Sequence, residues 1–180
     1  MRKAIIITAV SAAASTAVFT ALYLCTAVDV FLTLAITFGT ISYHFIMRLI
    51  VGGAVNSTMH NRADLSKPWF QQKAWEKKLY RILRGKKWKG RVPTYRPDFF
   101  DLQRHTPSEV AQAMCQAEVT HEIIFPLSLL PIIASVWAGA LPAFLITSVL
   151  SALMELFFII TQRFNRPRIL RTLQRQNSQT

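Results

Sequence analysis

Residues 140–161 read ALPAFLITSVLSALMELFFIIT, with Glu155 as the sole charged residue. About 20 consecutive apolar residues span the hydrocarbon core of a bilayer, so this stretch predicts a transmembrane helix. Three more apolar stretches precede it: Ala4–Leu24, Val30–Val51 and Ile123–Trp137. The first two also reach spanning length. The third is shorter and holds Pro126 and Pro131. It either begins below the interface near Thr120 or is kinked at the prolines.

The placement of positive charge orients these spans. The chain carries 21 Lys and Arg against 9 Asp and Glu. The connectors Cys25–Asp29 and Ala138–Gly139 contain no Lys or Arg. Arg2–Lys3, the loop from Gly52 to Glu122 and the tail after Gln162 hold all of them except Arg48, near the inner end of the second stretch. Cytoplasmic segments retain Lys and Arg while translocated ones lack them. One topology fits: both termini and the long loop inside the cytoplasmic membrane of a bacterium, with two tight outer turns. The expected fold is an all-α, multi-pass membrane protein. It has four transmembrane helices and a cytoplasmic basic loop containing an interfacial amphipathic helix. Its parts are an N-terminal hairpin over 1–51, the basic loop over 52–106, a helix leading into the C-terminal hairpin over 107–162, and a basic tail over 163–180. A signal peptide over residues 1–27, with Cys25-Thr26-Ala27 as cleavage site, is the competing reading of the N-terminus. The apolar run is longer than the usual h-region, and cleavage would leave the rest of the topology unchanged.

A net charge of +12 would point to nucleic acid in a soluble protein. Here the positive-inside rule and attraction to anionic lipid account for it, and no nucleic-acid partner is expected. Cys25 and Cys115 fall on opposite faces of the membrane, so no disulfide framework is expected. Asn56-Ser57-Thr58 matches a glycosylation sequon, but on the cytoplasmic side.

Within the loop, Trp69 to Arg84 reads as an amphipathic helix. Trp75, Leu79, Ile82 and Leu83 share one face, and Lys73, Lys77, Arg81 and Arg84 lie opposite. Such a composition suits a helix lying in the headgroup plane; the competing reading packs it on the loop itself. Lys86-Lys87-Trp88-Lys89 extends the basic, aromatic character and suits a phosphate-bearing group or anionic lipid. Thr106-Pro107-Ser108-Glu109 is a capping box with Pro at the first helical position. The helix it starts is expected to run uninterrupted into the third membrane stretch, carrying Glu118, His121 and Glu122 to the membrane edge.

Those three residues are the candidates for chemistry. Glu118 and His121 are three apart and Glu118 and Glu122 four apart, so they share one helical face. A carboxylate beside an imidazole raises its basicity and orients it, as a general base requires. Glu-x-x-His is also the ligand spacing of di-iron bundles, but those need two such motifs and two further Glu residues; no metal is expected. A solvated polar turn before a membrane helix remains the plain alternative. Glu155 sits inside the fourth stretch, where an ionisable group needs a partner or a task. His44 and Arg48 are its candidate partners, and helix packing competes with catalysis as its role. Asn165-Arg166-Pro167-Arg168 ends that stretch. Two Arg at the membrane surface suit an anionic headgroup or phosphate, or simply anchor the topology. No Gly-rich phosphate loop, G-x-S-x-G elbow or Cys-x-x-Cys pair is present.

Three segments together resemble one family. They are Trp75-Glu76 with Tyr80 and Lys87-Trp88-Lys89 up to Pro93; Glu118-x-x-His121; and Gln162-Arg163-Phe164-Asn165-Arg166-Pro167-Arg168. This resembles the small bacterial membrane proteins grouped with glycosyl-4,4'-diaponeurosporenoate acyltransferase, an enzyme of staphyloxanthin-type carotenoid synthesis. The similarity covers about residues 70–175. It implies a helical membrane enzyme that transfers a fatty acyl group onto a sugar hydroxyl of a glycosylated lipid or carotenoid. It also implies acyl-CoA or a similar acyl donor as co-substrate, no bound cofactor, and membrane lipids with an apolar glycosylated acceptor as partners. Two positions depart from the pattern: an aromatic is expected where Glu122 stands, and Asn-Leu-Pro where Glu155-Leu156-Phe157 stands. On this reading His121, Glu118 and Glu122 form the catalytic group. Asn165, Arg166, Arg168, Trp75, Trp88 and Glu155 contact substrate. A membrane scaffold whose basic loop recruits anionic lipid or a partner, and another small lipid transferase such as a methyltransferase, are the competing functions.

Overall fold

The computed structural model describes residues 2–74, 76, 78 and 103–177. Among them the regular elements are all helical. In chain order they are α1 (Arg2–Thr26), α2 (Asp29–Met59), a 3-10 turn (Pro68–Phe70), α3 (Pro107–Leu127), α4 (Pro131–Ala138) and α5 (Leu141–Asn177). Four helical runs are long and apolar enough to cross a membrane: Lys3–Thr26, Asp29–Met59, Pro107–Ala138 and Leu141–Arg171. The all-α membrane fold expected from the apolar stretches is therefore the one observed. By contact, the chain divides into two compact units.

The first unit comprises Met1–Gly52 and Ile123–Glu155. Two short connectors close its hairpins. Ala27, at φ 53°, ends α1 with its N–H on the Tyr23 carbonyl at 2.8 Å. Gly139 ends α4 at φ 67° and ψ −151°, a backbone conformation that side chains with a Cβ avoid. The buried positions are mostly small: Ala9, Ala12, Ala35 and Ala152, beside Met47, Ile124 and Phe144. Small residues let membrane helices approach closely; Ser42 Oγ reaches the Ala9 carbonyl at 3.3 Å. Large apolar side chains such as Ile7, Val10, Leu24, Val136 and Trp137 are exposed. In water that surface would be a liability; in hydrocarbon it is the lipid-facing side.

The helix from Pro107 runs unbroken to Leu127, and the prolines then interrupt it. Over Ser128–Leu130 the bonds tighten to three-residue spacing, with Leu129 N–H on Pro126 O at 3.1 Å and Leu130 N–H on Leu127 O at 3.3 Å. Pro131 has no N–H to offer the Leu127 carbonyl. The Tyr43 hydroxyl donates to that carbonyl instead, at 2.9 Å.

The second unit comprises Gly53–Glu122 and Leu156–Thr180. The expected capping box is present: Thr106 N–H donates to Glu109 Oε2 at 2.8 Å, and Glu109 N–H to Thr106 Oγ1 at 3.3 Å. From there α3 buries Val110, Ala111, Ala113, Met114 and Cys115. Two expectations are corrected. First, α2 does not stop at Val51 but continues to Met59. It ends in a left-handed pair, His60 and Asn61, whose Asn61 N–H donates to Gln116 Oε1 at 2.6 Å. Second, the helix read from Trp69 is not one continuous element. Trp69 and Phe70 form a 3-10 turn, Gln71 is extended at ψ 137°, and helix resumes only at Ala74. The cause lies in where the carbonyls of Trp69 and Phe70 go. Two arginines bond them and hold the turn in place. The remainder of that segment, with Trp75, Leu79 and Lys86–Lys89, lies outside the described residues.

A candidate active site beside a buried ionic network

Within the second unit, Arg163 and Arg166 stand one turn apart on α5 and so share a face. Both turn to Glu118 on α3, which is fully buried. Arg163 Nε donates to Glu118 Oε1 at 2.7 Å, and Arg166 Nη1 donates to Glu118 Oε2. Arg163 Nη1 also donates to Glu76, which is buried as well. Arg163 Nη2 donates to the Trp69 carbonyl at 2.9 Å and lies 3.5 Å from Glu122 Oε1. Arg166 Nη2 donates to the Phe70 carbonyl, and its Nη1 lies 3.4 Å from Cys115 Sγ. Three carboxylates thus surround two guanidiniums. Glu122 accepts the Trp69 indole N–H at 2.9 Å. The guanidiniums also lie over aromatic rings, Arg163 over Trp69 at 5.8 Å and Arg166 over Phe70 at 5.3 Å.

A buried charge is tolerated only when paired and hydrogen-bonded, and both conditions hold here. The planar fork of Arg matches a carboxylate at several donors at once. The network joins the 3-10 turn, Glu76, α3 and α5 through directed bonds. Among the described residues no three His, Cys, Asp or Glu side chains converge in the manner of metal ligands.

His121 lies one turn beyond Glu118 on α3, half-buried. Its ring stacks on Phe158 at 4.6 Å and 14°. Stacking restrains the ring plane. The bonds of Glu118 described above run to the two arginines. Asn165 is half-buried on α5, and the half-buried Arg168 lies over Phe164 at 4.1 Å. Trp75 and Trp88 lie outside the described residues. Glu155 belongs to the first unit, where Arg48 Nε donates to it at 2.6 Å and Arg48 Nη2 to Ser151 at 2.9 Å. One of the two partners expected for Glu155 is therefore its ion-pair partner.

Arg163 is the residue that sequence reasoning passed over, and Glu76 is the second. The available signal was the spacing of Arg163 to Arg166, which matches that of Glu118 to His121. A shallow cleft of about 280 Å³, lined by His60, Arg62, His105, Glu109 and Gln112, holds none of the singled-out residues. In the loop, Asp64 accepts the N–H and hydroxyl of Ser66, and these bonds hold its carboxyl below the usual range.

The fold and network define an all-helical membrane protein with a buried arginine–carboxylate cluster. The sequence matches the family model for glycosyl-4,4'-diaponeurosporenoate acyltransferase over residues 66–175. The chain belongs to that family. No curated protein and no solved structure matches it.

Proposed function

We propose that the protein is a membrane acyltransferase that moves a fatty acyl group from a thioester donor, such as acyl-CoA, to a sugar hydroxyl of a glycosylated lipid or carotenoid. The family match carries this reading, because its span contains the whole arginine–carboxylate network and His121. Both termini and the basic loop face the cytoplasm, where such a donor is available.

The chemistry follows from the residue types. His121 accepts the proton of the sugar hydroxyl. The oxygen attacks the thioester carbonyl, an ester C–O bond forms, and the C–S bond breaks. The thiolate leaves and takes the proton back from the imidazolium. Glu118 acts on this step at one remove: by binding Arg163 and Arg166 it fixes the helix that carries His121. The positive charges of Arg168, Lys86, Lys87 and Lys89 attract the phosphates of the donor, and the Asn165 amide offers them a further donor. The apolar part of the acceptor stays in the lipid.

The test is His121→Ala, assayed for acylated product in membranes at matched protein level by mass spectrometry. The expected loss is about 10²–10⁴-fold, the usual worth of a positioned general base. Full turnover in that variant would remove His121 from the mechanism.

A further inference from the structure

The first unit contains a polar seam between α2 and α5. Thr40 and Thr147 hydroxyls meet at 3.2 Å. Further along both helices, Arg48 donates to Ser151 and Glu155 at 2.9 and 2.6 Å, and Ser151 Oγ lies 3.2 Å from Ser128 Oγ. These contacts pair the two helices in parallel register. His44 falls between Thr40 and Arg48, and Ser148 falls between Thr147 and Ser151. Both are buried, at 3% and 0% exposure. Among the described residues, neither ring nitrogen of His44 nor the Ser148 hydroxyl has a hydrogen-bond partner.

Three orphaned polar atoms in one interval are costly, because each has given up its bond to water and gained none in return. The penalty is not relieved by solvent, since both helices belong to runs that can cross a membrane. A neutral imidazole carries one donor and one acceptor, and a serine hydroxyl carries both. A hydroxyl, which also donates and accepts, can bond one ring nitrogen of His44 and the Ser148 hydroxyl together. A carboxylate fits less well. Arg48, the cation in this seam, is already committed to Glu155, and a second carboxylate would face the first. We propose that the His44–Ser148 interval binds one hydroxyl group, brought either by a water molecule or by an alcohol dissolved in the bilayer. The site belongs to the first unit and the arginine–carboxylate network to the second, and the proposal does not depend on acyl transfer.

Ring-nitrogen NMR of the full-length protein in lipid nanodiscs tests this, with 15N-histidine label and 1-hexadecanol as the alcohol probe. His44→Phe assigns the His44 signals, and the signals of His60, His105 and His121 report that the fold is kept. His44 is expected to show one protonated nitrogen and one hydrogen-bonded acceptor nitrogen. If the occupant is water, the bonded proton correlates with the water resonance, and hexadecanol leaves the spectrum alone. If it is an alcohol, hexadecanol shifts the His44 signals saturably while hexadecane does not. Ser148→Ala then weakens the hexadecanol response roughly tenfold, about the worth of one hydrogen bond. The proposal is overturned if the acceptor nitrogen of His44 shows no hydrogen bond and hexadecanol does not move it. It is equally overturned if Ser148→Ala leaves every His44 signal unchanged.

Discussion

Both units bury a glutamate against arginine, yet they do so in different ways. In the first, Glu155 meets Arg48, and hydroxyls of Ser151 and Ser128 continue the chain of bonds. In the second, Glu118 is shared by two arginines, which also reach Glu76 and two main-chain carbonyls. The first arrangement joins one helix to another. The second also fixes a segment that is not a regular helix, the turn around Trp69 and Phe70. Buried ion pairs add little net stability compared with apolar packing, but removing one partner is costly. The two glutamates are therefore best contrasted by what each removal leaves stranded.

Glu118→Ala removes the carboxylate paired with the buried Arg166 and one of three around Arg163, and is expected to cost about 3–5 kcal/mol. The expected outcome is poor accumulation in membranes and a strongly lowered unfolding temperature in detergent. A variant as stable as wild type would show that the network is not a stability element. Glu155→Ala takes the carboxylate from Arg48, whose side chain is 19% exposed and can turn toward the membrane surface. A smaller loss, about 2–3 kcal/mol, is expected. If the two losses come out equal, sharing one carboxylate between two arginines has no added consequence. Tyr43→Phe is milder again. It leaves the Leu127 carbonyl with a single long bond, and thermal unfolding should register about 1 kcal/mol. Pro131→Ala in that background should recover part of the loss by restoring the helical donor.

The two regions also differed in how far the sequence could be read. The spans and their tight turns were legible because hydrocarbon thickness sets a simple length rule, and Gly139 marks a turn by its freedom alone. The start of α3 was legible for a similar reason: a capping box is local, and Thr106 and Glu109 bond each other. The break near Pro131 was foreseeable from proline chemistry, although its rescue by Tyr43 was not. The candidate site was harder. Glu118, His121 and Arg166 stood out through spacing and resemblance, but Arg163 did not. Its role depends on Glu76, Trp69 and Glu122, which are far from it in sequence. For the same reason the helix expected from Trp69 gave way to a turn, since helical periodicity says nothing of arginines arriving from elsewhere.

Arg163 and Arg166 grip Trp69 and Phe70 by their peptide oxygens, and every amino acid carries that atom. That part of the grip does not depend on which side chains stand at positions 69 and 70, whereas the ring contacts and the Trp69–Glu122 bond do. Natural variation there can reshape whatever surface the two rings present, while the path of the backbone stays under the control of residues on another helix.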